Sequence, residues 1–436
     1  MLIRFRVSNF LSFKDEVEFS MIPGRTKQHL NHIISGGSGR NDTDLLRAGV
    51  VYGANASGKS NLVHVLGFTK ALVTEGVKAR KPIPVTPFKL DKASLGLPSK
   101  FEFEIRVGEK DYLYGFEIDN EYVHSEWLHQ IKKTTTVLIF ERKTDAKKKT
   151  SVEFGNLNLE TKKDVEFLGF VARGTRANQL FLSESIDREV TYFEDVYNWF
   201  GKLMVIYPES RFGVDLSVDS KHTNAMVKYL EKFGTGVCGF DLQKVIAESE
   251  FPKELLKDIT KDLKPGEKTG VMNSMGGQRY LITKNKNGEL TTSKFVLKHR
   301  MVDCNDEVPF DTEDESDGTI RLMDLLPILT VPDDKPRVFV IDELDRSLHP
   351  NLCYQLIDEF LASSNQNQLI VTTHEANLLT FDLLRRDEIW FVEKNKQGSS
   401  VAYSLEEFTP RYDNDVQKGY LLGRFGAIPF IAKKTF

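Results

Sequence analysis

Five consecutive residues, Arg337 to Ile341 (RVFVI), read as a buried parallel strand, β-branched and apolar on both faces. A strand of that kind needs cover on each side and predicts an α/β fold. At its C-terminal end stand two adjacent carboxylates, Asp342 and Glu343. Burying one charge is costly, and burying two side by side costs more unless a cation or a proton shares the site. Two acids at a strand end can also simply point into water. A phosphate cradle elsewhere in the chain would decide between the two readings.

That cradle is the octet GANASGKS, Gly53 to Ser60, which fits G-x-x-x-x-G-K-[ST] in full. It follows the short strand Ala48 to Tyr52 and precedes a helix with Leu62, Val63 and Leu66 on one side. Gly53 and Gly58 let the backbone bend close to phosphate with its N–H groups turned inward, across a loop that also holds Asn55 and Ser57. The helix N-terminus favours an anion. Lys59 is placed to reach β- and γ-phosphates, and Ser60 to ligate Mg²⁺. With that site in the chain, Asp342 is expected to face the same Mg²⁺ and Glu343 a water that attacks a phosphate.

A chain of 436 residues is long enough for two or three domains. Hydrophobic content of 40% and charged content of 28% are those of an ordinary soluble protein. No run of eighteen or more apolar residues is present, so no membrane span is expected. The opening MLIRFRVSNFLSF has neither a long apolar core nor a small-residue cleavage site, which argues against a secretory signal. Cys238, Cys304 and Cys353 lie far apart without metal-ligand spacing and read as reduced thiols of a cytoplasmic protein. A net charge of −4 makes no global case for nucleic acid, although a local basic surface stays open.

Residues 2–20 alternate, with Ile3, Phe5 and Val7 and then Val17 and Phe19, which predicts a hairpin; residues 23–44 read as a loop. Phe13 is a candidate ring beside a nucleotide base or a core residue. From 101 to 142 the segments FEFEIRV, YLYGFEI, VHSEWLHQI and TVLIFER predict antiparallel strands, and Lys143, Lys147, Lys148 and Lys149 a solvated tip. Residues 159–260 read as mainly helical, with Leu168, Phe170, Leu180 and Phe181 as early apolar positions. Residues 271–303 alternate around an Asn287-Gly288 turn. Residues 306–318 read as an acidic loop whose end, Ser316-Asp317-Gly318-Thr319, opens a helix stopped by Pro327. Leu348, Leu352, Leu356 and Phe360 recur at i+4; then come the buried strand 368–373 with His374 behind it, two strands at 388–392 and 401–405, and a docked apolar ending.

In an open α/β sheet, ligands bind beyond the carboxyl ends of the strands. Gly53–Ser60, Asp342–Glu343 and His374 each follow a buried strand there, so one crevice is expected to bind Mg-ATP. Glu343 would activate water and His374 contact the γ-phosphate.

The order GANASGKS, ESDGT, VFVIDELD and then His374 resembles the ATPase core of the ABC superfamily, in its structural-maintenance-of-chromosomes and RecF-like branch. The resemblance implies an ABC-type P-loop head, with an antiparallel β subdomain and a mainly helical insertion. It divides the chain into a first lobe 1–158, an insertion 159–305 and a second lobe 306–436. It also implies that Ser316 to Thr319, including Ser316 and Gly318, form the signature motif on the γ-phosphate of a second subunit. Asp345 would be the D-loop aspartate, His374 the switch histidine, and the chain at least a dimer. Asp317 departs from the small residue usual in that signature.

LIRFRVSNFLSFKDE, IDELDRSLHP, TTHEANLL, RRDEIWFVEK and KGYLLGRFGAIP resemble the ATPases of bacterial abortive-infection systems. These include the RloA type, with relatives among the overcoming-lysogenisation-defect ATPases and the ATPase subunit of the PARIS anti-phage system. That family implies sensing of infection, which leaves room for a phage-encoded trigger, and ATP-dependent control of a separately encoded nuclease-like effector. The span from Ser60 to Ser316 is too long for a transporter head, and the absence of sustained heptads excludes a long coiled-coil arm. A RecF-like ATPase acting directly on DNA is the alternative.

Overall fold

The computed structural model describes residues 1–36, 43–145, 147–155, 157, 162–210, 220–261, 263–272, 277–304, 306–330, 336–363, 365–408 and 415–429. The chain forms two compact units. The first is Met1–Pro208, Asp333–Asp345 and Ile357–Phe436; the second is Glu209–Pro332 and Arg346–Leu356.

Two large sheets build the first unit, beside a two-stranded one of Ile33–Ile34 and Leu45–Leu46. One is antiparallel throughout, in the order Thr150–Phe154, Thr136–Thr144, Val123–Ile131, Lys110–Ile118, Ser99–Val107, Leu2–Ser8, Val17–Ser20. Its alternation has the expected cause. Phe5, Phe19, Phe101 and Phe103 fill the core, while Arg4 and Arg6 reach Glu104, Glu18 and Glu102 at 2.6–2.8 Å on the other face. Those cross-strand pairs are partly exposed and stabilise by about 0.2–1 kcal/mol each.

The second sheet of this unit runs Met204–Ile206, Val338–Ile341, Gln368–Thr372, Ala48–Tyr52, Ile389–Lys394, Ser400–Ser404. All neighbours are parallel except the last strand. Val338–Ile341, Gln368–Thr372 and Ala48–Tyr52 are buried at every position, as apolar runs without alternation require. The sheets meet where Gly49 leaves room for the Phe19 ring, whose centroid lies 4.8 Å from that of Trp390 with the ring planes tilted by 40°. Arg47 donates to the carbonyls of Phe360, Leu361 and Ser363 at 2.7–2.8 Å, placing a cation at the end of the helix Pro350–Ala362.

In the second unit, Leu290–Arg300 pairs with Val237–Val245, with Arg279–Lys284 and with Glu307–Asp311; Lys268–Met272 pairs with Arg279–Lys284. Helices Ser220–Lys232, Lys253–Thr260 and Asp317–Leu325 accompany this sheet, and Arg279 meets Asp324 at 2.8 Å in the interior.

The α/β class, the antiparallel sheet, the opening hairpin and the Asn287-Gly288 turn agree with the sequence reading. Several details do not. Helices such as Lys162–Gly174, Glu194–Lys202 and Ser220–Lys232 make residues 159–260 mainly helical as read, but two unforeseen strands interrupt them: Met204–Ile206, which joins the parallel sheet, and the nine-residue Val237–Val245. The acidic stretch 306–318 is not all loop. Its acids Asp311 and Glu307 pair with Lys294 and Lys298 of the neighbouring strand at 2.8 and 3.2 Å, and Pro309 sits on the edge strand Glu307–Asp311, where a missing N–H is tolerated. Phe170 is 65% exposed, because the buried stripe of Lys162–Gly174 is Leu168, Val171 and Ala172. Leu348 precedes its helix, which starts at Pro350. Tyr420, Phe425 and Ala427 of the ending are buried, whereas Leu421 and Leu422 are exposed.

Glu126 is fully buried in the first unit and accepts the N–H groups of Phe181 and Leu182 at 2.6 and 3.0 Å and the Tyr114 hydroxyl at 3.1 Å. Its charge partner is the equally buried Arg142, 3.9 Å away. Glu126→Ala strands that guanidinium without a counter-charge and is expected to lower unfolding free energy by about 3–5 kcal/mol, read from urea denaturation. A loss below about 1 kcal/mol would show that Arg142 does not depend on it.

Candidate active site

The P-loop begins where Tyr52 ends its strand, and the helix Lys59–Thr74 begins at its last two residues. The bend needs left-handed backbone at Ala56 (φ 62°) and Gly58 (φ 111°). A side chain at Gly58 would collide with the hydroxyls of Ser12 and Ser400, and one at Gly53 with the carbonyl of Val392. Neighbouring segments hold the loop from outside. Ser400 Oγ donates to the Ser57 carbonyl at 2.5 Å, and Asn61 Nδ2 donates to Ser12 Oγ at 2.7 Å.

Lys59 is 6% exposed. Its ammonium donates to the carbonyls of Gly53 and Ala54 at 2.8 and 3.3 Å and lies 3.0 Å from His374 Nε2. Burial lowers the Lys59 pKa to about 8, against the opposing pull of Asp342, Asp345 and Glu343. Burial and the Lys59 charge likewise lower the pKa of His374, so its ring is the neutral partner of the pair.

The acids stand at the end of Val338–Ile341, two strands from the P-loop strand, with Gln368–Thr372 between. Asp342 is 4% exposed and accepts the Thr372 hydroxyl at 2.5 Å. Glu343 is half-buried with φ 49°, an unfavourable conformation for a residue with a side chain, held by its N–H donating to Thr372 Oγ1 at 2.9 Å. Asp345 Oδ1 accepts the Thr373 hydroxyl at 2.7 Å and the His374 N–H at 3.1 Å.

A cleft of about 580 Å³ lies between these segments. Asn55, Ser57, Gly58, Lys59 and Ser60 line it from the P-loop, and Glu343, His374, Ser12 and Lys394 from elsewhere. Three expected elements, the P-loop, Glu343 and His374, therefore do share one crevice. Sequence reasoning missed Ser12, Asn61, Lys394 and Ser400. Asn61 directly follows the octet, whereas Ser12, Lys394 and Ser400 have no spacing that ties them to it. Phe13 does not serve as a ring at the cleft; it is fully buried in the core, and its neighbour Ser12 faces the cleft instead.

Ser316 and Gly318 belong to the second unit. Ser316 Oγ accepts the Thr319 N–H at 3.1 Å, so in this chain it caps the helix Asp317–Leu325. Gly318 lies where a side chain would press on the Ser347 carbonyl at 3.0 Å.

The residues present suit nucleotide phosphates. The cradle is closed to a Cβ at Gly53 and Gly58; among the described residues, Ser57 Oγ is buried without a hydrogen-bond partner, and the buried ammonium is held by carbonyls and an imidazole rather than by a carboxylate. The Ser60 hydroxyl and the Asp342 carboxylate are hard oxygen donors of the kind that hold Mg²⁺ alongside phosphate. Among the described residues no cluster of three or more His, Cys, Asp and Glu side chains is placed to hold a metal ion.

A family model described as "AAA domain, putative AbiEii toxin, Type IV TA system" matches residues 50–195 and 241–380, well over half of the chain. The chain belongs to this AAA family. The match takes in the P-loop, Asp342 to Asp345 and His374. The matched residues carry the α/β fold described above, with the P-loop at the end of a strand of its parallel sheet. No curated protein matches it. Among solved structures it is similar to a SMC head bound to the C-winged helix domain of ScpA, at 14% identity and TM-score 0.39 over 92% of this chain and 97% of that one. It is also similar to the SMC head domain from Thermotoga maritima, at 11% identity and TM-score 0.36 over 92% and 98%. No helix among the described residues is long and apolar enough to cross a membrane.

A triphosphate favours the charged form of Lys59, which free protein loses as pH passes about 8. Above that pH, binding must take up a proton, so affinity for a non-hydrolysable ATP analogue is expected to be steady below about pH 8 and then to weaken by up to about tenfold per unit. Calorimetric titrations between about pH 7 and about pH 9.5 check the sign. A flat profile would mean that Lys59 keeps its proton throughout.

Proposed function

We propose that the chain binds Mg-ATP in this cleft, hydrolyses it, and uses the cycle as the sensor and scaffold of an anti-phage abortive-infection system. In that role it holds or releases a separately encoded, toxic, nuclease-like effector. The observation that carries the reading is the meeting of Lys59, Glu343 and His374 in one cleft from the ends of three neighbouring parallel strands. The family description, with its AbiEii toxin and toxin–antitoxin terms, supports the defence setting.

The roles follow from charge and reach. P-loop N–H groups and the Lys59 ammonium bind the β- and γ-phosphates. Glu343 orients a water and takes its proton as the water oxygen attacks the γ-phosphorus; the bond to the β–γ bridging oxygen breaks, leaving ADP and phosphate. His374, neutral and anchored through its N–H to Asp345, contacts the γ-phosphate. Ser60 and Asp342 hold Mg²⁺, which when bound neutralises charge on the phosphate oxygens. Ser316, Gly318 and Asp345 act on the nucleotide of a second copy, so ATP joins two heads and hydrolysis parts them.

Glu343→Gln keeps the shape and removes the base. It is expected to bind ATP as the wild type does, to lower turnover by at least about 100-fold, and to accumulate an ATP-dependent dimer. Single-turnover hydrolysis and native mass measurements test this, on the chain alone and on the chain co-expressed with its neighbouring gene product. Turnover at the wild-type rate would remove Glu343 as the base. A lone ATP-dependent dimer that ignores the neighbour and grips DNA ends would move the function to a RecF-like ATPase acting on DNA.

A further inference from the structure

The strand Gln368–Thr372 is buried at every position and otherwise apolar in its last turns, with Leu369, Ile370 and Val371 before Thr372. Valine has the shape of threonine and would serve such a strand better. A hydroxyl there is costly unless both its donor and its acceptor capacity are met. At Thr372, which is fully buried, both are met, and both partners lie in the acid loop thirty residues earlier. The hydroxyl donates to Asp342 Oδ1 at 2.5 Å and accepts the Glu343 N–H at 2.9 Å. The Thr372 carbonyl accepts the next N–H, that of Leu344, at 2.9 Å. One residue thus engages three in succession, and the middle one, Glu343, has the unfavourable positive φ.

We propose that Thr372 is a positioning residue of the ATPase site: its hydroxyl fixes the Asp342 carboxylate for the divalent cation and locks Glu343 in the backbone conformation that turns its carboxylate to the cleft. The inference rests on the reading of the cleft given under Proposed function. It is separate from the contact one residue on, where Thr373 holds Asp345. Thr372 is fully buried and does not line the cleft, so its effect is exerted through Asp342 and Glu343.

The test compares wild type, Thr372→Val and Thr372→Ser in the full chain, with three readouts. Thermal melts report folding. Binding of a fluorescent ATP analogue across a Mg²⁺ titration reports the hold on the cation without any turnover. Steady-state hydrolysis reports kcat and KM. Thr372→Val is expected to melt near the wild type and to bind nucleotide without Mg²⁺ as before. It should need about tenfold more Mg²⁺ for tight binding and lose about 10- to 100-fold in kcat with little change in KM. Thr372→Ser restores the hydroxyl and should return both to within about threefold of wild type.

Wild-type Mg²⁺ dependence and turnover in the valine variant would overturn the inference while leaving the ATPase reading intact. Failure of the valine chain to fold would overturn it as well, by making Thr372 a residue of folding. If wild-type protein hydrolyses no ATP, the ATPase reading falls. The Mg²⁺ titration of nucleotide binding then still decides whether Thr372 orders the acids.

Discussion

The arrangement depends on one buried cation. Lys59 is almost wholly removed from water, and its nearest partners are main-chain carbonyls and a neutral imidazole. Taking an ammonium out of water without a paired anion is unfavourable, and the lowered proton affinity of Lys59 is the direct sign of it. Asp342, Glu343 and Asp345 lie near enough to oppose that lowering but do not abolish it. The site therefore holds positive charge in reserve, at the N-terminus of a helix and among inward-turned amides, where a polyphosphate would satisfy it.

Everything around Lys59 serves to hold that arrangement. Gly53 and Gly58 are required by close approach of Val392, Ser12 and Ser400, which brace the loop from the first hairpin and the last strands of the parallel sheet. The acids are braced from the other side. Thr372 and Thr373, adjacent at the end of one strand, hold Asp342 and Asp345 by their hydroxyls, and His374 follows immediately to reach Lys59. Because Gln368–Thr372 lies between the P-loop strand and the strand of the acids, a single strand end ties the two halves of the cleft together.

The parts visible in the sequence were those whose signal is local. Apolar runs without alternation gave the parallel strands Ala48–Tyr52, Val338–Ile341 and Gln368–Thr372, and alternation gave the antiparallel sheet. Glycine, lysine and serine at fixed spacing marked the P-loop. What stayed hidden depends on distant partners. Met204–Ile206 is three residues long and becomes a strand only by pairing beside Phe339 to Ile341. Glu307–Asp311 looked like a repelling acidic loop until Lys294 and Lys298 are placed opposite. Val237–Val245 lacks the clean burial alternation by which a strand is recognised. Ser12 and Ser400 are ordinary turn and strand residues in sequence, and only the fold brings them against Gly58.

The measurement that tests the central claim most directly is calorimetric binding of ATP to wild-type protein and to Lys59→Ala, with Mg²⁺ present and thermal melts as a control for folding. If the buried ammonium is what the cleft holds ready for phosphate, the wild type binds and the alanine variant, still folded, loses binding by at least about 100-fold. Equal affinity in the two proteins would contradict the account, since the cleft would then bind nucleotide without the one charge around which it is built.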